Sequence, residues 1–230
     1  MVPANGVGGL RAAPVVGRIV PFRDRHDAGR RLGVALQALD LDQPVVLGLA
    51  RGGVVVAAEV AEVLHAPLDV LLVRKLGYPL QPELALGAVG ESGVRVLNGP
   101  LIARLGVPDA VIEEVTALEM EDLQRRREIY RVDRRMVAVA RRTVVVVDDG
   151  LATGATARAA VAVVRGLEAG KVVLAVPVGA PEALDTLSSE ADDVVCLEVS
   201  EDFIGISQWY EHFTQVADEQ VRALLPGDEA

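Results

Sequence analysis

The sequence predicts an α/β domain in which a mainly parallel sheet is flanked by helices on both faces. Three observations carry this expectation. Short Val- and Leu-rich runs alternate with segments of helical period along most of the chain. The runs are apolar at successive positions, as strands covered on both faces require. The 230 residues, 51% of them hydrophobic, are enough to cover one such sheet.

Residues 1–20 mix Gly, Pro, Ala and Val without a sustained period, which predicts a flexible arm; the run Gly6-Val7-Gly8-Gly9 has neither a strand before it nor a helix after it. From Asp24 to Leu39 the residues Ala28, Leu32, Ala35, Leu36 and Leu39 recur at helical spacing. Pro44 to Ala50 reads as a buried strand, Val54 to Leu64 as a helix and Leu68 to Val73 as a second buried strand, together one βαβ unit. Gly77, Pro79 and Pro82 interrupt Leu76 to Leu84, which is expected to be a mobile loop, with short strands near Leu86 to Val89 and Val94 to Leu97. Residues 108 to about 132 are charged and helical in pattern, with Val111, Val115, Leu118 and Leu123 on the apolar side. They lead into an arginine-rich stretch, Arg125 to Arg142, whose cations are expected to pair with Glu113, Glu114, Glu119, Glu121 and Asp122 of the same segment. Thr143 to Val147 then predicts a strand, Thr156 to Glu168 a helix, Lys171 to Val178 a strand, Pro181 to Glu190 a helix and Val194 to Val199 a last strand.

Composition excludes several function classes. A formal charge of −10 repels a nucleic-acid backbone, so no nucleic-acid partner is expected. No apolar run approaches the roughly 20 residues of a membrane-spanning helix, and the N-terminus shows no signal-peptide pattern, so a cytoplasmic protein without a membrane partner is expected. The one cysteine, Cys196, sits in an apolar run and reads as a buried strand residue. His26, His65 and His212 are scattered and propose no zinc site. Gly205-Ile206-Ser207-Gln208-Trp209 fails the Gly-x-Ser-x-Gly hydrolase elbow at its last position.

The informative stretch is Val144-Val145-Val146-Val147-Asp148-Asp149-Gly150-Leu151-Ala152-Thr153-Gly154-Ala155-Thr156. A buried strand ends in two carboxylates and a small-residue loop that opens a helix, so backbone N–H groups and the positive helix end converge on one anion. Gly154 permits close backbone approach, and the Thr153 and Thr156 hydroxyls add donors. Adjacent acids repel phosphate but suit the hydroxyls of a sugar; a phosphorylated ribose satisfies both.

This string resembles the 5-phosphoribosyl-1-pyrophosphate (PRPP) motif of the type I phosphoribosyltransferases. The resemblance implies their fold over residues 21–230 as one domain, with a small C-terminal hood at about 200–215 and a charged helical insertion at about 100–142 outside the shared core. It implies that Asp148 and Asp149 bind the ribose hydroxyls, directly or around Mg²⁺, and that Gly150, Leu151, Ala152, Thr153, Gly154, Ala155 and Thr156 cradle the 5-phosphate. Gly48-Leu49-Ala50-Arg51-Gly52-Gly53 is similar to the family's pyrophosphate loop, placing Ala50, Arg51, Gly52 and Gly53 on PRPP and a non-proline cis peptide at Ala50–Arg51. Arg74 and Lys75, followed by the Gly/Pro-rich stretch through Glu83, occupy the place of the family's closing basic loop. The implied chemistry is displacement at C1 through a cationic ribosyl transition state. Asp148 or Asp149 would stabilise that charge, and Mg²⁺ with Arg51, Arg74 or Lys75 would neutralise the departing pyrophosphate. The implied partners are PRPP and a small nitrogen acceptor such as a base, in a homodimer.

Glu201 to Phe213 is the densest aromatic patch in a chain with 3% aromatics. It resembles the hood of the purine salvage enzymes, which makes Phe203 the candidate stacking residue, Ile204 its partner, and Trp209 and Tyr210 the wall. Trp209 stands where those enzymes carry an acid, Val176-Pro177-Val178 lacks their purine-recognising lysine, and Ala152 replaces their loop acid. Leu151-Ala152-Thr153-Gly154 is instead similar to the adenine- and orotate-type loops, whose proton transfers involve the closing loop; Glu83 is the candidate there. The alternative is a non-catalytic PRPP- or nucleotide-binding regulator; the acidic surface and the lack of a recognisable DNA-binding module argue against it.

Overall fold

The computed structural model describes residues 10–12, 22–132 and 134–225, the first three and Glu83 by backbone alone. Its centre is a six-stranded sheet in the order β1-β9-β8-β7-β2-β3, made of β1 (Leu10–Ala12), β2 (Val45–Leu49), β3 (Leu68–Leu71), β7 (Thr143–Val147), β8 (Lys171–Gly179) and β9 (Asp193–Val199). Every neighbouring pair is parallel. Along β7, Val145 and Val147 enter a core shared with helices α1 (Arg25–Gln37) and α2 (Gly52–Leu64). Val144 and Val146 enter the opposite core, shared with α5 (Ala155–Gly166) and α6 (Pro181–Ser188). Side chains alternate across a strand, so an unbroken valine run is what a doubly covered strand requires.

Topology places the two loops singled out by the sequence. β2 and β7 are parallel neighbours, paired from Val45 with Val144 to Gly48 with Val147. The segments that leave them, Ala50–Gly53 and Asp148–Gly154, therefore emerge side by side at the carboxyl edge of the sheet, where open α/β sheets bind ligands.

Three expectations are corrected. Leu76 to Leu84 is not a loop: β4 (Val73–Tyr78) and β5 (Gln81–Gly90) form a hairpin that β6 (Arg95–Leu97) extends into a separate antiparallel sheet. Register shifts around Gly77 absorb Pro82, whose missing N–H is tolerated at such a bulge. Within the expected N-terminal arm, Leu10–Ala12 pairs with Val194–Cys196 as an edge strand, while residues 1–9, including Gly6 to Gly9, and 13–20 lie outside the described residues. The arginine-rich segment is only partly self-paired. After α3 (Gly99–Leu105), helix α4 (Asp109–Tyr130) pairs Arg125 and Arg126 with its own Asp122. Arg131 instead enters the core, meeting Asp69 at 2.6 Å and Glu91 at 2.6 Å and donating to the Val70 carbonyl; Arg134 also reaches Asp69. A short last helix, α7 (Asp218–Leu224), docks on α4 through a hydrogen bond from the Tyr130 hydroxyl to Asp218.

Candidate active site

The loop from Asp148 to Gly154 is anchored on the neighbouring strand. The Leu151 N–H donates to the Val178 carbonyl at 2.9 Å, tying the loop to β8. Gly154 precedes α5 with φ 73°, a left-handed conformation that costs a residue with a Cβ roughly 1–2 kcal/mol. As a glycine it offers no side chain to compete for the first-turn N–H groups of α5, which, with the positive helix end, suit an anion. Ala152, Thr153 and Thr156 are exposed, and the Thr153 hydroxyl accepts from the Ala155 N–H at 3.5 Å.

The acids sit at the entrance to this loop. Asp148 Oδ1 accepts from the Asp149 N–H at 2.9 Å. Desolvation, and then the charge of Asp149, push the Asp148 pKa well above the ordinary carboxylate value, although the Arg25 guanidinium pulls it back. Asp149 is buried and its Oδ2 accepts from Arg25 Nε at 2.7 Å. The pyrophosphate-type loop packs directly on the pair: a Cβ added at Gly52 would overlap Asp149 Oδ2, and one at Gly53 would stand 2.9 Å from Asp148 Oδ1. The Ala50–Arg51 peptide is cis, as the resemblance implied.

The hood closes over this centre. Phe22 and Arg23 pair with Trp209, Glu211 and His212 through backbone hydrogen bonds of 2.8 to 3.0 Å. The Tyr210 hydroxyl donates to the Asp149 carbonyl at 2.6 Å, so the hood is pinned to the acidic pair. Ile206 covers Gly150, where an added Cβ would stand 2.7 Å from Ile206 Cγ2. Trp209 does not line a base site: it is 3% exposed, packed with Phe22, Ala28 and Val178, and stacked on Phe203. Phe203 is half-buried and Ile204 is 93% exposed. Phe213 borders the same cavity as Ala50, Arg51 and Gly52, and the Arg25 guanidinium lies over its ring at 3.8 Å.

A cavity of about 500 Å³ adjoins the acids, lined by Arg25, Arg51, Gly52, Arg126, Phe213 and Thr214 among others. The sequence reading missed Arg25, Arg126 and Phe213. Arg126 and Phe213 lay inside stretches that it had marked, but Arg25 meets Asp149 across 124 residues and nothing local to it signals the pairing.

The two cations expected from the closing loop are divided. Alternation along β4 sends Arg74 to Asp122 and Glu119 of α4, and Lys75 to a different groove of about 1130 Å³, bordered by Thr153, Leu97 and Arg158. Neither lines the cavity beside Arg51. Glu83 falls within β5, and its side chain lies outside the described residues. Cys196 is buried with its thiol pushed up to about 12, chiefly by burial, which makes it inert. Among the described residues no cluster of three or more His, Cys, Asp or Glu is placed to hold a metal, and no helix is long and apolar enough to cross a membrane.

Residues 30–213 match the phosphoribosyl transferase domain family. Proteins of two Mycobacterium tuberculosis strains, provisionally named phosphoribosyl transferases, are 50% identical over 204 residues, 89% of this chain and 46% of each relative. The chain thus spans about half the length of these curated relatives. The crystal structure of TT1426 from Thermus thermophilus superposes with a TM-score of 0.86 at 48% identity, covering 90% of this chain and 98% of that one.

Proposed function

The chain belongs to the phosphoribosyl transferase domain family, and from that premise we propose that it binds PRPP and transfers its 5-phosphoribosyl group to a nitrogen acceptor, releasing pyrophosphate. One observation supports this reading: two adjacent carboxylates lead from β7 towards the first turn of α5, whose free N–H groups suit an anion, and Gly52 and Gly53 of the loop after β2 pack on them. A ligand with phosphate at one end, a diol in the middle and a diphosphate at the other end matches that sequence of groups.

The 5-phosphate takes the N–H groups of Gly150 to Thr156, and Asp148 and Asp149 hold the ribose hydroxyls. Both acids lie where positive charge grows on the ribose as the C1–oxygen bond breaks, and their fixed charge favours that transition state. The leaving oxygens gain charge beside Arg51. The acceptor nitrogen bonds to C1 as the C1–oxygen bond breaks, and its proton passes to the departing pyrophosphate or to solvent. Asp148 and Asp149 are also the residues that would hold a divalent cation, whose charge would offset the burial and the like charge that raise Asp148. Mg²⁺ held there would neutralise diphosphate charge. Phe203 and Ile204 are the hood residues proposed to meet the acceptor, Phe203 through its ring and Ile204 through its exposed side chain.

Pyrophosphate release from PRPP, measured with Mg²⁺ against a panel of nucleobases and simple amines, tests the proposal. Acceptor-dependent release supports it, and loss of release in Asp149→Ala is expected. PRPP binding without turnover on any acceptor would make the chain a sensor.

A further inference from the structure

The cavity beside the cis-peptide loop is lined by three arginines from three separate elements: Arg25 at the start of α1, Arg51 in the loop and Arg126 on α4. Among the described residues no carboxylate lines it. In a chain of formal charge −10, three partly buried cations brought together repel one another unless an anion joins them. Two already have acidic partners outside the cavity, Arg25 on Asp149 and Arg126 on Asp122 at 3.1 Å. Among the described residues no hydrogen bond or ion pair engages the Arg51 side chain.

Arg126 is the unexpected member, since α4 lies in the charged segment that the phosphate-loop resemblance does not cover. Asp122, Arg126 and Tyr130 follow one another every fourth residue, on one face of the helix. That face is fixed at both ends, Asp122 by Arg74 of β4 and Tyr130 by Asp218 of α7. Asp122 binds the Nε edge of Arg126 and leaves the terminal nitrogens for another oxygen ligand. The helix is thereby an arm that presents a pre-oriented guanidinium at the cavity that Arg51 also lines.

We infer that Arg126 is a substrate-contact residue, which joins Arg51 in the anion pocket at the diphosphate end of the ligand. This inference rests on the reading of the site as a PRPP site. It gives the charged segment a part in the chemistry, with Arg74 acting through Asp122 as a positioning residue.

Calorimetric titration with two fragments, sodium pyrophosphate and ribose 5-phosphate, each with Mg²⁺, separates the inference from the reading beneath it. Wild-type protein is expected to bind both. Arg126→Ala is expected to bind pyrophosphate about tenfold or more weakly, the scale of one lost charge-assisted contact, with ribose 5-phosphate unaffected. Arg126→Lys should recover part of the loss. Arg125→Ala, which removes the neighbouring partner of Asp122 outside the cavity, should match wild type. Equal pyrophosphate affinity in wild type and Arg126→Ala overturns the inference and leaves the ribose-phosphate site standing. Parallel loss of both fragments in Arg126→Ala also overturns it, because the arginine would then only hold the fold. Failure of wild type to bind either fragment overturns the PRPP reading itself.

Discussion

Asp148 and Asp149 are neighbours with different surroundings. Asp149 has a cation at 2.7 Å, whereas Asp148 has dense protein and a like charge beside it. An acid whose pKa is raised on folding keeps a proton that the unfolded chain has already released. Its contribution to stability is therefore fully present below the ordinary value of 3.8 and is lost as pH rises through the raised one. Asp148→Asn keeps the oxygen that accepts the Asp149 N–H while removing the charge. In ligand-free protein it is expected to raise Tm at neutral pH, by roughly 2–4 °C for each 1 kcal/mol of repulsion relieved, and to lose that advantage below about pH 4. Thermal unfolding between pH 3 and 8 checks both arms. A variant less stable than wild type at pH 7 would show that no strained carboxylate stands at that strand end. The gain in stability should accompany a loss of ligand affinity, the exchange expected where like charges are kept together for binding.

The strands and the helices between them were readable wherever burial on both faces or a single apolar stripe dictated the pattern, as in Thr143–Val147 and Arg25–Gln37. The loop from Asp148 to Gly154 was readable as a strand-to-helix turn because the residues that form it are contiguous in sequence. The β4–β5 hairpin was not, because Gly77 and Pro82 argue locally for a break while a bulge resolves the conflict in three dimensions. Arg74 and Lys75 were expected together on one closing loop, but strand alternation, invisible once the segment is taken for a loop, sends Arg74 to the acids of α4 and Lys75 to a separate groove. The fate of the arginine-rich stretch was hidden as well, since Arg131 finds its acids in β3 and in the turn just after β5 rather than along its own segment. All of its guanidinium edges are engaged there, with Asp69 fully buried. Arg131→Ala strips Asp69 and Glu91 of that partner and is expected to cost about 3–5 kcal/mol in urea unfolding. A loss below about 1 kcal/mol would show that the α4 segment is anchored by other contacts.

Across the whole molecule, the parallel order of β2 and β7 turns two loops far apart in the chain into one site. The hood completes it through Tyr210, whose hydroxyl reaches the Asp149 backbone, and through Phe213 beneath Arg25. The acidic pair, hood and α1 thus share one set of contacts, so ligand binding should stabilise the molecule as a unit. The claim beneath every step is that the start of α5 and the acidic pair hold a phosphorylated ribose. Titrating PRPP with Mg²⁺ into wild type and into the double variant Asp148→Asn, Asp149→Asn tests it most directly. One PRPP bound per chain, displaced by ribose 5-phosphate and weakened at least about tenfold in the variant, is the predicted result. No binding to wild type, or equal affinity in the double variant, would contradict it.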